Sequence, residues 1–171
     1  MRSYALTECD QLYEARARWL YWIVALIALL WLGLLLLAPW LMATGRVLPS
    51  LVLYRVLALV CHQQPERSFS WLNFPLPVCM RCTGIYVGFA AGWLSFIRLP
   101  ALPRRWLFVA LAPLALDWVL GVTGLWANTP ISRTLTGALA GGALAWWLCS
   151  QRYSIVADLP QIHSGETFLH G

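Results

Sequence analysis

The stretch WLYWIVALIALLWLGLLLLAPWL, residues 19–41, decides the class of fold. It contains no charged residue and is longer than the roughly 20 apolar residues needed to cross the hydrocarbon core of a bilayer. Trp19, Trp22 and Trp40 stand near its ends, where interfacial aromatic side chains are expected. Charged residues precede Trp19, so the pattern favours a membrane anchor over a signal peptide.

The composition of the whole chain agrees with a membrane protein. Of its 171 residues, 60% are hydrophobic and 11% are charged, whereas soluble domains carry roughly one-quarter charged residues. The formal net charge of +5 comes from arginine without any lysine. These arginines are scattered among apolar segments and form no contiguous basic face, so we expect a lipid bilayer and no nucleic acid as partner.

Three further spans are predicted after the first one. They run from Thr83 to about Leu99, from Trp106 to about Gly121, and from about Arg133 to Leu148. Residues 51–60 are apolar but too short to cross and contain Arg55, which predicts a short interfacial or re-entrant helix. The expected fold is an all-α membrane protein, a bundle of four transmembrane helices with a Cys-rich loop between the first and second spans.

The predicted domain limits follow from these spans. We expect a cytoplasmic N-terminal segment at residues 1–18, a transmembrane domain at residues 19–149, and a mobile C-terminal tail at residues 150–171. Seven arginines fall on the side of the termini and five on the other side. This bias favours a multi-pass protein of the inner (cytoplasmic) membrane with both termini in the cytoplasm.

Glycines recur at every fourth position in the second and fourth predicted spans. They are Gly84, Gly88, Gly92, Gly137 and Gly141. Small residues at this spacing form smooth ridges that let helix backbones approach closely, so we expect these two spans to pack against each other.

Residues 61–82 form a loop with three of the five cysteines. It begins with Cys61-His62 and ends with Cys79-Met80-Arg81-Cys82. Two cysteines separated by two residues can direct both sulfurs to one point, as zinc sites and redox motifs do. The second span starts directly after Cys82, so the helix dipole and Arg81 should lower a thiol pKa there.

Three interpretations of this loop stay open. Cys61, His62, Cys79 and Cys82 can ligate a metal, zinc or another transition metal. Alternatively, the pair Cys79 and Cys82 is a thiol–disulfide exchange site, since its place on a four-helix membrane protein resembles quinone-linked oxidoreductases. A structural disulfide is the third interpretation.

Asp117 lies inside the third predicted span, where an unpaired carboxylate is costly. We expect it to pair with Arg133, with Asn128 as a hydrogen-bonding neighbour. The polar groups then gather at the membrane face of the cysteine loop: Gln63, Glu66, Arg67, Arg81, Asp117, Asn128 and Arg133. The arginines among them could hold an anionic headgroup or ligand, or only neutralise the acids.

Two motifs resemble a known family. The strings CHQQPERSF at residues 61–69 and PVCMRCTGIYVG at residues 77–88 are similar to the small prokaryotic integral membrane proteins catalogued as domain of unknown function two thousand and eighty-five. Asp117 and the stretch from Ser132 to Gly141 resemble its C-terminal half, although Trp118 stands where glycine is expected. The resemblance implies the fold and the site positions and carries no activity, so a non-catalytic membrane subunit or assembly factor, or a homo-oligomer, is also open.

Overall fold

The computed structural model describes residues 8–95, 103–125 and 127–157. Five helices and one β-hairpin make up these residues: α1 (Glu8–Ala43), α2 (Val47–Leu57), β1 (Ser68–Trp71), β2 (Phe74–Cys79), α3 (Met80–Ser95), α4 (Arg104–Val122) and α5 (Pro130–Ala157). A short 3-10 turn, Pro65–Arg67, precedes β1. The mainly helical prediction is confirmed, and the all-α prediction is wrong at the hairpin.

Two of the described helices are long and apolar enough to cross a membrane. They are the segment Arg18–Ala43 of α1, with a mean hydropathy of 2.6, and the segment Arg105–Val122 of α4, with 1.6. No residue of the α4 segment is buried in the isolated chain, and its exposed side chains include Trp106, Phe108 and Leu116. Such a continuous apolar surface is typical of contact with lipid.

The short helix α2 folds back onto the end of α1. Gly45 adopts a φ of +79°, a left-handed conformation that glycine takes without steric cost. The Ser50 hydroxyl donates a hydrogen bond of 2.8 Å to the carbonyl of Ala38 and fixes the two helices together. α2 begins at Val47, earlier than the predicted residue 51, because Pro49 lies in its first turn, where a missing N–H does no harm.

The β-hairpin occupies the cysteine loop. Leu72 and Asn73 both have positive φ, as a two-residue hairpin turn requires, and Trp71 pairs with Phe74. β2 contains Pro75 and Pro77. A two-stranded ribbon has two free edges, so proline is tolerated there although it would interrupt a wider sheet.

α3 and α5 pack through their glycines. A Cβ atom added at Gly84 or Gly88 would overlap the backbone of Thr134 or Ala138 on α5. A Cβ at Gly137 or Gly141 would overlap the carbonyl oxygens of Arg81 or Ile85 on α3. Gly92, the third glycine of the α3 ridge, is also buried. The two ridges therefore face each other inside the chain.

Helix α5 is longer than the predicted fourth span. It continues past Leu148 to Ala157, because the polar residues after Cys149 include no glycine or proline that would end a helix. Residues 158–171 of the predicted tail, residues 1–7, and the predicted end of the second span at Leu99 lie outside the described residues.

Candidate metal centre

Three cysteine sulfurs meet at one point. The Sγ atoms of Cys61, Cys79 and Cys82 all lie within 4.8 Å of one another, and all three are free thiols. The loop that was expected to gather these cysteines does so in the structure.

Each thiol comes from a different element. Cys61 follows α2, where its N–H still donates to the carbonyl of Leu57 at 3.2 Å. Cys79 is the last residue of β2, and Cys82 lies in the first turn of α3. The N–H of Cys79 donates to the sulfur of Cys61 at 3.2 Å, so the hairpin aligns a residue 18 positions further along the chain with the end of α2.

An apolar floor supports the sulfurs on one side. Leu35 of α1, Leu57 of α2 and Val78 of β2 are buried together with Cys61. Leu57 and Val78 have no exposed surface at all. This packing holds the thiols in place and keeps water from one side of the cluster.

Cys79 differs electrostatically from an ordinary cysteine. A hydrogen bond from the Cys82 thiol lowers the pKa of Cys79 to about 5, although burial acts in the opposite direction. Hydrogen bonds from the backbone of Cys82 and the thiol of Cys61 add to the effect. We expected the helix dipole and Arg81 to lower a thiol pKa; the largest cause is instead the neighbouring thiol.

A cavity of about 530 Å³ adjoins the thiols. Its lining residues come from the segment after α2, from the end of β2, from α3, from α4, from the α4–α5 connection and from the start of α5. The polar ones are Cys61, His62, Gln63, Gln64, Arg67, Cys79, Arg81, Cys82, Asn128 and Arg133. The cluster therefore has an apolar side and a polar, cationic side.

Asp117 pairs with Arg81 and not with Arg133 as predicted. The Arg81 guanidinium forms an ion pair with the Asp117 carboxylate, and their side chains are 21% and 9% exposed. The prediction was wrong because it began the second span only at Thr83, whereas α3 already begins at Met80 and includes Arg81, whose guanidinium reaches Asp117 on α4.

Asn128 lies beside this pair, as a hydrogen-bonding neighbour of Asp117. Its Nδ2 donates to the main-chain carbonyl of Asp117 at 2.7 Å and to the carboxylate at 3.1 Å. Gly121 permits this approach, since a Cβ there would come within 2.8 Å of the Asn128 side chain. Sequence reasoning did not single out Gly121, whose only signal was its place at the end of the third span.

His62 and Glu66 do not join the thiols. His62 is exposed and lines the cavity, but it is not part of the group of mutually close ligand atoms. Gln63, directly after His62, has a φ of +48°, a left-handed conformation that turns the chain at this point. Glu66 is exposed outside the cavity lining.

Tyr54 was also missed. Its carbonyl accepts a hydrogen bond of 2.6 Å from the Gln63 side chain, and its hydroxyl donates to the carbonyl of Pro75. Tyr54 thus ties α2 both to the turn after Cys61 and to the hairpin. Its sequence signal was a single hydroxyl within an apolar stretch.

The fold and the site define a helical membrane protein with a cluster of three thiols beside a cationic cavity. Residues 61–147 match the model of a family described as "Predicted membrane protein (DUF2085)", and the chain belongs to this family. The match includes the thiol cluster, α3, α4 and most of α5.

Two archaeal proteins illustrate the relationship. An uncharacterized protein of Methanocaldococcus jannaschii is 33% identical over 140 residues, which cover 75% of this chain and 90% of that protein. An uncharacterized protein of Methanothermobacter thermautotrophicus is 33% identical over 90 residues, or 50% of this chain and 81% of that protein. No solved structure gives a significant match.

Proposed function

We propose that this chain is a metal-binding protein of the inner membrane, with one zinc or zinc-like ion held by the thiolates of Cys61, Cys79 and Cys82. The observation that carries the proposal is the mutual distance of the three sulfurs, all within 4.8 Å. Three soft thiol ligands at one point favour zinc or another thiophilic transition metal over calcium or magnesium.

The spacing of the sulfurs fits such an ion. A Zn–S bond of about 2.3 Å in a tetrahedron separates two sulfurs by about 3.8 Å. Cys79, whose pKa is lowered to about 5, already offers the thiolate that a metal requires. A divalent ion would in turn stabilise the thiolates of Cys61 and Cys82.

Three protein ligands leave one position of the tetrahedron for water or another group. Structural zinc sites are closed by four protein ligands, whereas sites that bind or transform a ligand keep one position open. His62, predicted as a fourth ligand, is exposed and apart from the cluster. The site is therefore proposed as a ligand-binding centre and not as a structural staple.

Thiol–disulfide exchange is the second candidate function. The low pKa of Cys79 and its hydrogen bond with Cys82 are the properties of an attacking thiolate in a CxxC pair. In that case a quinone would be the expected oxidant. The metal site is favoured because an exchange pair has no need of Cys61, yet the backbone N–H of Cys79 is bonded to that third sulfur.

The proposed setting is a four-span bundle. Besides α1 and α4, helices α3 and α5 present exposed apolar residues outward, among them Val87, Leu94, Leu135 and Leu139. Large apolar surfaces of this kind favour lipid contact. We place the transmembrane domain at residues 19–149, the termini in the cytoplasm and the thiol cluster at the outer face, in line with the arginine bias.

The assembly-factor alternative loses its main support. It depended on the glycine ridges as surfaces for a partner protein. Gly84 and Gly88 instead contact the backbone of α5, and Gly137 and Gly141 contact that of α3, so these ridges are used within the chain.

Elemental analysis of protein purified without chelator tests the proposal. We expect about one equivalent of a transition metal per chain, which is lost in the Cys79→Ser/Cys82→Ser variant. Cys149→Ser is the matched control, because Cys149 is buried in a separate cluster with Tyr21 and Ala145. Wild-type protein without metal would contradict the metal proposal.

Thiol trapping separates the two candidate functions. In a metal site, Cys61, Cys79 and Cys82 resist alkylation until a chelator is added, and reduction changes nothing. In an exchange site, Cys79 and Cys82 become reactive only after reduction, and a quinone restores their protection.

A further inference from the structure

Three arginines from three separate elements line the cavity beside the thiols. Arg67 ends the 3-10 turn, Arg81 lies in the first turn of α3, and Arg133 lies in the first turn of α5. Bringing three like charges to one cavity of about 530 Å³ costs electrostatic free energy unless something of opposite charge compensates for it.

The acids of the described residues compensate only part of this charge. Asp117 forms an ion pair with Arg81, and it is the only ion pair among the residues whose side chains the structure describes, 18–95, 103, 105–125 and 127–150. Three arginines against one carboxylate leave a charge of +2 (3 − 1) at the cavity. A divalent metal on three thiolates would add −1 (2 − 3), so the cavity would remain cationic.

One of the three arginines also has a hydrogen-bond donor without a partner. The Nε of Arg81 is buried and has no hydrogen-bond partner, while the ion pair with Asp117 holds the guanidinium in a fixed orientation. Asn128 donates to Asp117, so the carboxylate is held from two sides. A buried N–H without a partner is costly and indicates a place where an acceptor belongs.

We propose that this cavity binds a terminal phosphate group. Guanidinium groups form paired, charge-assisted hydrogen bonds with phosphate oxygens, and a phosphate monoester carries about −1.5 to −2 charge near neutral pH, opposite in sign to the net charge of the cavity. The volume lies within the roughly 300–1,000 Å³ of small-molecule sites and leaves room for the group that carries the phosphate.

The phosphate can belong to a soluble molecule or to a lipid headgroup. Both have the same charged oxygens, and the cavity lies between helices that we place in the membrane. The anion site depends on the arginines and not on the metal. A failure of the phosphate proposal can therefore be distinguished from a failure of the proposed metal centre.

Equilibrium dialysis with radiolabelled inorganic phosphate tests the site. The probe is added to full-length protein in phosphatidylcholine nanodiscs, and we expect saturable binding of one phosphate per chain. Arg67→Met/Arg133→Met should weaken it by at least about a hundred-fold, since each of the two lost charged hydrogen bonds contributes about ten-fold or more in affinity. The control Arg46→Met/Arg55→Met removes the same charge from exposed positions outside the cavity and should bind like the wild type.

Further arms identify the source and guard against misfolding. Nanodiscs that contain phosphatidic acid abolish phosphate uptake if a lipid headgroup is the ligand and leave it unchanged if the ligand is soluble. Arg133→Lys keeps the charge without the paired hydrogen bonds and should lie between the wild type and the double variant. Phosphate should still bind to the metal-free Cys79→Ser/Cys82→Ser variant. The proposal would be overturned if the wild type bound no phosphate and no phosphatidic acid. It would also be overturned if the cavity variant and the control variant bound phosphate equally well.

Discussion

Arg81 of α3 and Asp117 of α4 form an ion pair next to the thiol cluster. Arg81 lies one residue before Cys82, so the pair connects the position of α4 directly to the first turn that carries a candidate ligand. Asn128, from the connection between α4 and α5, donates to the same carboxylate. Three elements thus meet at one acid on the cavity side of the molecule.

A double-mutant cycle on Arg81→Met and Asp117→Asn measures this ion pair. Because both side chains are largely buried, at 21% and 9% exposed, we expect a coupling of about 1–3 kcal/mol in the free energy of unfolding. Denaturant titration in detergent, followed by tryptophan fluorescence, is the measurement.

The matched cycle on Arg133→Met and Asp117→Asn is the control. Arg133 lines the cavity but has no ion pair with Asp117 among the described contacts, so its coupling should stay within about 0.5 kcal/mol. A larger coupling for Arg133 than for Arg81 would restore the pairing that the sequence suggested.

The glycine ridges make a second prediction. Gly88→Leu should destabilise the fold by at least about 1–3 kcal/mol, because a side chain there meets the backbone of Ala138, which cannot move aside. Thermal unfolding in detergent is a suitable assay. Gly33→Leu on α1 is the control, since a Cβ at Gly33 meets nothing within 4 Å. Equal effects of the two substitutions would show that the α3–α5 contact is not close.

Much of the helical architecture could be predicted from hydrophobic periodicity and small-residue spacing. The first span and the contact between Gly84 and α5 follow from features that act within one helix or between two helices. Helix ends were less predictable. α1 begins at Glu8 and α5 continues to Ala157, because charged and polar residues propagate a helix as well as apolar ones do once it has started.

The hairpin could not be predicted from the same signals. Pro75 and Pro77 disfavour both a helix and a central strand, and the sequence does not show that the sheet has only two strands. Leu72 with positive φ is not a usual turn residue. The partner of Asp117 was missed for a related reason: without the hairpin, the start of α3 at Met80 could not be located.

The third prediction concerns His62, which is next to Cys61 in the sequence but does not belong to the group of close ligand atoms. His62→Ala should retain about one metal per chain, because its ring is exposed and outside the thiol cluster. Cys61→Ser, a change at the neighbouring residue, should lose most of the metal. Elemental analysis of both variants decides the matter, and equal losses would make His62 the fourth ligand after all.

The pH dependence of Cys79 provides the last prediction. In chelator-treated protein, its alkylation by iodoacetamide should rise through about pH 5, where the thiol ionises, and should level off well below the usual cysteine pKa of about 8.5. A lowered pKa also means that the native state gains stability from this thiolate above the unfolded-state pKa and loses it as the pH falls through about 5. Cys82→Ser replaces the thiol whose hydrogen bond is the largest cause of the shift and should move the profile to higher pH, as peptide-level mass spectrometry would record. An unchanged profile in Cys82→Ser would mean that some other group stabilises the thiolate.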